Sequence, residues 1–247
     1  VLRRPLGAAG HVVLDADAAE RLQALDPGPV HVRGKRTGLA FAQQHGDEVE
    51  AGFHREHLTF VDDAGAPVAI RVDGHVGYYA AGMNQQAEIT IDGNAGTGVA
   101  ENMMSGTVWV KGNASQSAGA TAHGGLLVIE GDAAARCGIS MKGVDIVVGG
   151  NVGHMSAFMA QAGRLVIRGD AGEALGDSIY ETRIYLRGTP ASLGADCVAK
   201  EMTDEHHAEL AYLLKSAGFE DDDTRAYTRY GSARSLYHFH VDNASTY

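Results

Sequence analysis

The stretch Leu165-Val-Ile-Arg-Gly169-Asp-Ala-Gly172-Glu-Ala-Leu-Gly176 decides the fold of this chain, because its first glycine belongs to a series with a fixed spacing. Seven glycines follow one another at intervals of 19 residues: Gly74, Gly93, Gly112, Gly131, Gly150, Gly169 and Gly188. Two apolar residues at alternate positions precede each of them: Ile70/Val72, Ile89/Ile91, Val108/Val110, Leu127/Ile129, Ile146/Val148, Leu165/Ile167 and Ile184/Leu186. The pattern predicts one short β-strand per repeat, always in the same phase.

A repeat of this length is too short for the helical solenoids, whose units need about 33 to 47 residues. The sequence therefore predicts an all-β fold, a parallel β-helix of about seven turns, over residues 70–198. Residues 1–69 are expected to form an irregular segment with a short helix and edge strands, and residues 199–247 a capping helix and an extended tail. We call one repeat a circuit and the equivalent residues of successive circuits a column. Stacking at about 4.8 Å per circuit predicts a solenoid about 30 Å tall.

The seven corner glycines are expected where the chain leaves each strand, because glycine reaches positive φ without steric cost. Two further columns hold small residues, which indicates close approach between circuits. The first lies three residues after the corner: Gly77, Gly96, Ser115, Ala134, Gly153, Gly172 and Ala191. The second lies seven residues after it: Ala81, Ala100, Gly119, Gly138, Ala157, Gly176 and Ala195. A mostly apolar column ten residues after the corner predicts the inner face of another wall: Asn84, Met103, Ala122, Met141, Ala160, Ile179 and Val198.

The column directly after the corner is rich in Asn and Asp: His75, Asn94, Asn113, Asp132, Asn151, Asp170 and Thr189. Aligned oxygens of this kind suit Ca²⁺. Asn and Asp also tolerate left-handed turns and bond to their own backbone. We favour the turn interpretation, because the nonapeptide calcium signature is absent from the sequence.

Bulk properties restrict the partners and the compartment. The net charge of −11 argues against nucleic acid, which requires a basic surface. Cys137 and Cys197 are far apart and are expected to be buried thiols of a reducing compartment. Because no apolar run reaches the length of a membrane span or a signal peptide, we expect a soluble, cytoplasmic protein.

The amino-terminal segment is less regular. Asp15 to Leu25 predicts a short helix that ends at Pro27. Val30 and Val32, followed by Gly34, predict an edge strand. Arg33, Lys35 and Arg36 beside this strand could contact phosphate, but a solvated loop is the preferred interpretation.

After the last repeat, Thr203 to Gly218 predicts a capped helix with an apolar stripe of Leu210, Leu213, Leu214 and Ala217. We expect this helix to close the open end of the solenoid, since an uncovered end invites strand addition. The tail beyond it is rich in aromatic residues and arginine, the types enriched at interface hot spots. It docks either on its own body or, as we favour, on a partner subunit. The residues expected to carry this docking are Arg229, Tyr230, Arg234, Tyr237, His238, Phe239 and His240.

No GxSxG, HExxH or P-loop motif occurs in the sequence. Cys137 falls in an inward column, where burial makes a thiol a poor nucleophile. The sequence therefore predicts no catalytic, cofactor-binding or metal-binding residue in this chain. One alternative remains, a stand-alone module that binds metal through His238, His240 and Asp242.

The glycine-cornered repeat resembles the GXXGXXXG (GXGXG) domain at the carboxyl end of large glutamate synthases over residues 70–198. That resemblance implies a right-handed β-helix. The repeat also resembles the free-standing form of this module that serves as one subunit of formylmethanofuran dehydrogenase and of the related formyltransferase/hydrolase complex. Three circuits depart from the glycine pattern at Ser115, Ala134 and Ala191, so no ligand role is carried over to any residue.

Two stretches after the last corner glycine resemble the free-standing glutamate-synthase-type subunit of the N-methylglutamate synthases: Ser192 to Cys197 and Arg229 to Asn243. This resemblance implies a non-catalytic subunit of a heteromeric transferase complex in methylamine metabolism. It implies an amidotransferase-like partner and an FMN-binding partner that also holds an iron-sulfur cluster, with no cofactor in this chain. The chain would brace these partners and help to enclose an amine route.

Overall fold

The computed structural model describes residues 69–234, together with the backbone of four earlier strands at 11–14, 41–45, 48–52 and 58–59. The predicted helix at 15–25, the strand at 30–34 and the basic loop beside it lie outside the described residues.

Fifteen strands and one α-helix make up the described fold. The strands are β1 (His11–Leu14), β2 (Phe41–His45), β3 (Glu48–Gly52), β4 (Leu58–Thr59), β5 (Ala69–Val72), β6 (His75–Val76), β7 (Asn84–Gln85), β8 (Glu88–Ile91), β9 (Thr107–Val110), β10 (Leu126–Ile129), β11 (Lys142–Val148), β12 (Ala162–Ile167), β13 (Arg183–Leu186), β14 (Cys197–Lys200) and β15 (Thr228–Ser232). The helix α1 (Asp204–Ser216) precedes a short 3₁₀ turn, Thr224–Ala226.

The solenoid has one continuous wall of parallel strands. Strands β5, β8, β9, β10, β11, β12 and β13 are consecutive neighbours in the ten-stranded sheet. Their register is offset by 19 residues from strand to strand, for example Ile89↔Val108 and Leu127↔Ile146. The predicted parallel β-helix is confirmed. Seven stacked strands bound about six full circuits between them, slightly fewer than the seven turns expected.

A second and a third wall close each circuit. The second consists of single bridges two residues after the corner, such as Ala95↔Ala114 and Ala114↔Ala133. The third, which we call the turn wall, comprises the residues five to nine positions after each corner glycine. In six circuits the residues five, seven and nine positions after the corner all have positive φ, as Gly98, Ala100 and Asn102 do. Their N–H groups alternate in direction: Gly98 and Asn102 donate to the following circuit, and Ala100 donates to the preceding one.

The core lies between the three walls and is filled by apolar columns. The inward strand residues of β9 to β13 are fully buried, and so are Met103, Ala122, Met141 and Ala160 of the column predicted to line another wall. Val198, placed in the same column by the sequence, is instead exposed, because β14 leaves the parallel arrangement and pairs antiparallel with β15.

Six of the seven corner glycines, from Gly93 to Gly188, accommodate the side chain that follows the corner of the preceding circuit. Asn113 Oδ1 accepts a hydrogen bond of 2.8 Å from the backbone N–H of Asp132, the residue after Gly131. A Cβ on Gly131 would overlap this oxygen and would lie 2.9 Å from the carbonyl oxygen of Gly112. The glycines are also bonded directly, since the Gly131 N–H donates to that carbonyl at 3.0 Å. We call this arrangement the corner ladder.

The corner ladder repeats with the same geometry along the solenoid. Backbone N–H groups donate to the side chain one circuit earlier at the pairs Asn94/His75, Asn113/Asn94, Asp132/Asn113, Asn151/Asp132, Asp170/Asn151 and Thr189/Asp170. The acceptor is His75 Nδ1 in the first pair and a side-chain Oδ1 in the other five, so these side chains bond to the next circuit. The expectation that the Asn and Asp side chains of this column bond to their own backbone is therefore corrected.

The conformational reason expected for the corner glycines is also corrected. Of the seven, Gly74 alone has a positive φ. At the other six the constraint is steric, because the corners approach too closely for a Cβ. Positive φ occurs instead in the turn wall, at residues as varied as Tyr79, Arg136 and Met159.

The described amino-terminal strands extend each part of the solenoid at its first circuit. Strand β1 pairs with β5 in parallel, β3 pairs with β6, and β4 pairs with β7. The sheet edge at β5 is therefore covered by the chain's own strand, which limits strand addition at that end.

The other end of the sheet is closed by antiparallel strands. Strand β15 pairs with both β13 and β14, so residues 228–232 lie between the last parallel strand and β14. Helix α1 lies within the predicted range, Thr203 to Gly218, but it packs on the outer face of the sheet against Val128, Val147 and Val166 rather than across the open end. The expectation that α1 closes the solenoid is therefore corrected.

Replacing a corner glycine should cost far more than replacing a glycine elsewhere in the sheet. We expect Gly131→Ala to lower the free energy of unfolding by on the order of 3 kcal/mol, because the new methyl group would overpack the corner ladder. Gly231→Ala is the matched control, since a Cβ there would meet the Lys200 side chain at an ordinary 3.6 Å. Urea denaturation measures both variants; equal denaturation midpoints for the two would contradict the steric role of the corner.

Candidate interaction surface

Three of the seven residues expected to dock on a partner, Arg229, Tyr230 and Arg234, lie among the described residues. Tyr230 lies in the middle of β15, opposite Ile184 of β13, and its side chain is 8% exposed within the main core. It therefore forms the last apolar layer of the solenoid. A buried side chain in this position is not available to another subunit.

The two described arginines of the same group also bond within the chain. Arg229 Nε donates to the carbonyl oxygen of Glu201 at 2.9 Å. Arg234 forms an ion pair with Asp196. Residues 229–234, the first part of the tail, therefore bind to the same chain, which was the alternative to docking on a partner subunit. Tyr237, His238, Phe239, His240 and Asp242 lie outside the described residues.

Helix α1 covers the outer face of the sheet with a second apolar cluster. Leu210, Leu213 and Leu214 are buried against the outward side chains of β10 to β12, and Tyr185 and Tyr227 complete the cluster. The predicted apolar stripe of the helix is thus confirmed, and it identifies which face of the sheet is already occupied.

Glu209 attaches the amino-terminal half of α1 to the sheet. It accepts hydrogen bonds from Tyr185 Oη at 2.5 Å and from Arg183 Nη1 at 2.8 Å, and it lies 3.3 Å from Arg164 Nε. Burial alone would raise the pKa of Glu209, but these donors outweigh burial and lower it. Asp145, 3.3 Å from the same Arg164 Nε, has its pKa raised chiefly by burial. Sequence reasoning did not find this cluster, since its members come from three different strands and a helix and, apart from Arg183 and Tyr185, are 19 or more residues apart.

Asp222 attaches the segment after α1 in the same way. Arg168 donates to it through two nitrogens, at 2.7 and 2.8 Å, and Tyr227 Oη donates at 2.6 Å. The guanidinium group of Arg168 also lies 4.0 Å from the ring centroid of Phe219. Hydrogen bonds from Arg168 are the main cause that lowers the pKa of Asp222 to about 2.

Exposed side chains among the described residues show where another molecule could make contact with this chain. The side chains of the corner ladder are exposed along one edge. On other faces the exposed large apolar residues of the described part of the chain are Tyr78, Tyr79, Met159, Tyr180, Leu193, Val198 and Tyr212. The small column seven residues after the corner marked one of the three left-handed positions of the turn wall as a close approach, but the positions five and nine residues after the corner gave no sequence signal, because side chains as varied as Tyr79 and Met159 occupy them.

Cysteine and histidine side chains are the candidates for nucleophilic or metal-binding chemistry. Both cysteines are free and buried as predicted, and burial raises the pKa of Cys137 to about 12 and of Cys197 to about 11. Within 69–234, no three His, Cys, Asp or Glu side chains are grouped to hold a metal ion. His206 and His207 bond instead to Thr203 and Thr224. The described part of the chain contains no helix with the length and apolarity needed to span a bilayer.

One curated protein is similar to part of this chain. Protein GlxC of Rhizobium meliloti (strain 1021) is 62% identical to it over 71 residues. The match covers 29% of this chain and 31% of GlxC, so it spans about a third of that protein's length. Comparison with protein-family models finds no match, and comparison with solved structures finds none.

Truncating Tyr230 should destabilise the end of the solenoid. We expect Tyr230→Ala to lower the free energy of unfolding by about 3 kcal/mol, because it leaves a cavity over the Ile184 layer. Tyr212→Ala, on the 68% exposed Tyr212 of α1, is the matched control and should change stability by less than about 0.5 kcal/mol. Chemical denaturation decides between a core role and a surface role; a Tyr230 variant as stable as the control would exclude the former.

Acid should weaken the attachment made by Asp222. Because its folded pKa is depressed from 3.8 to about 2, its contribution is present above pH 3.8 and is lost as the pH falls toward 2. The shift corresponds to about 2 kcal/mol. Asp222→Asn should remove this part of the pH dependence between pH 5 and pH 2, whereas Asp221→Asn should retain it. Denaturation midpoints measured across that range test the assignment, and parallel curves for wild type and Asp222→Asn would refute it.

Proposed function

We propose that this chain is a β-helical subunit of a glutamate-synthase-like complex of the N-methylglutamate synthase type. The observation that carries the proposal is the stack of glycine corners at 19-residue register, the feature on which the resemblance to the glutamate synthase GXGXG domain depends. The partial similarity to GlxC supports the broader, glutamate-synthase-like assignment.

In this proposal the chain is a brace between catalytic subunits. The complex converts methylamine and L-glutamate into N-methyl-L-glutamate and ammonia, with FMN and an iron-sulfur cluster in one partner and amidotransferase-like chemistry in the other. Inter-circuit hydrogen bonds along all three walls support a rigid role. A rigid element between two active sites holds them at a fixed separation. Transfer of an amine from one site to the other requires that the separation stay fixed.

The packing of the core supports a specific form of this role. Side chains at 0% exposure, such as Val108, Met141 and Leu165, fill the interior of successive circuits. An amine route would therefore run along an outer face of the solenoid, with the chain supplying one wall and a partner supplying the other. The face under α1 is already covered, which leaves the corner-ladder edge and the turn wall for this purpose.

Affinity purification from the native cell tests the proposal. An amino-terminally tagged chain should recover an amidotransferase-like protein and a flavoprotein, with FMN absorbance and methylamine-dependent formation of N-methylglutamate in the eluate. A tagged Gly131→Ala variant is the control for dependence on the folded solenoid and should recover less of both partners.

The identity of the recovered proteins separates the alternatives. A metal-dependent hydrolase-like protein in place of the flavoprotein would favour the formyl-transferring complex. Recovery of the folded chain alone, with neither partner, would contradict the proposal.

A further inference from the structure

Several exposed apolar side chains of the described residues lie at the carboxyl-terminal end of the solenoid. Met159 is 43% exposed, Tyr180 48%, and Leu193 and Val198 37% each. We call these four residues the terminal patch. Large apolar side chains grouped on a surface mark a site of contact.

Backbone hydrogen bonds place the terminal patch within the last circuits. The Met159 N–H donates to the carbonyl oxygen of Asp177 at 2.9 Å, and the Tyr180 N–H donates to that of Ala160 at 2.8 Å. One circuit further on, the Ser178 N–H donates to Ala195 at 3.1 Å. With circuits about 4.8 Å apart, the patch extends about 10 Å along the solenoid axis.

The described chain ends beside this patch. The Ala233 N–H donates to the carbonyl oxygen of Asp196 at 2.7 Å, and the side chain of Arg234 forms its ion pair with the same residue. Asp196 lies in sequence between Leu193 and Val198. The residues after Arg234 therefore start from a point at the edge of the terminal patch.

Those residues carry an apolar pattern suited to the patch. The sequence continues Leu236-Tyr-His-Phe-His-Val241, so in an extended segment Tyr237, Phe239 and Val241 would share one face. The seven residues from Ser235 to Val241, if extended, span about 23 Å, which exceeds the length of the patch.

We propose that residues 236–241 bind to the terminal patch of the same chain, with Tyr237, Phe239 and Val241 in contact with Met159, Tyr180, Leu193 and Val198. The same chain is favoured over a partner because Tyr230 is buried in its own core and Arg234 is paired with Asp196. A segment fixed at its first residue beside the patch has a high effective concentration there. This inference does not depend on the proposed function, and it requires only the isolated chain.

Methionine oxidation measures whether the patch is covered. In the full chain treated with hydrogen peroxide, we expect Met159 to oxidise several-fold more slowly than in a chain that ends after Arg234, as quantified by mass spectrometry. Met104, near the other end of the solenoid, should oxidise at the same rate in both. Buried Met103 and Met141 should stay protected in both, which reports that the truncated chain is folded.

A point variant makes the test independent of truncation. Phe239→Asp in the full chain should raise the oxidation rate of Met159 to that of the truncated chain, whereas Thr246→Asp, with the same added charge near the end, should leave it unchanged. Equal Met159 rates in the full and truncated chains, or in wild type and Phe239→Asp, would overturn the proposal. Protection that disappears on dilution would also overturn it and would indicate a second copy as the occupant. Protection seen only after adding the co-purified subunits would overturn it in favour of a partner.

Discussion

The fold depends on the contact between a glycine corner and the Asn or Asp side chain of the circuit before it. At each such corner a glycine N–H donates to the preceding glycine carbonyl, and the next N–H donates to the side-chain oxygen one circuit earlier. Both bonds require the space that a Cβ would fill. Because the two bonds fix the same 19-residue offset, every apolar column is aligned once the corners are aligned.

The alignment also explains how the ends and the flank of the solenoid are organised. A parallel stack leaves an unpaired strand at each end, and here β1 and the antiparallel β15 pair with the outermost parallel strands. Tyr230 supplies the side chain that the next circuit would otherwise contribute to the core. Helix α1 and the following turn bury the outer face of the later strands, with the carboxylates of Glu209 and Asp222 bonded to arginines of the sheet.

The solenoid could be predicted from the sequence because two independent patterns, the glycine spacing and the apolar alternation, share one period. The physical reason for the glycines was not predictable in the same way, since steric exclusion by another circuit is a three-dimensional fact. Tyr230 illustrates a similar limit: an aromatic residue near a terminus suits an interface and a core equally well. The insertion of β15 between β13 and β14 joins segments about 30 residues or more apart, and no local pattern encodes it. The left-handed conformation of the turn wall was missed because glycine occupies a minority of these positions, and Tyr, Arg, Met and Ser together occupy more of them than glycine does.

A rigid stack with a filled interior supports the proposed function, in which the chain positions other subunits through its free faces. The account depends on circuits that are interchangeable units of one length. Deleting residues 94–112 removes one 19-residue circuit, and deleting residues 95–112 removes one residue fewer. Thermal unfolding followed by circular dichroism compares the two shortened chains. The account predicts a cooperative transition with native-like β-structure for the first, and none for the second, whose strands would be shifted by one residue and turned to the wrong face. Equal folding of both chains, or failure of both, would contradict it.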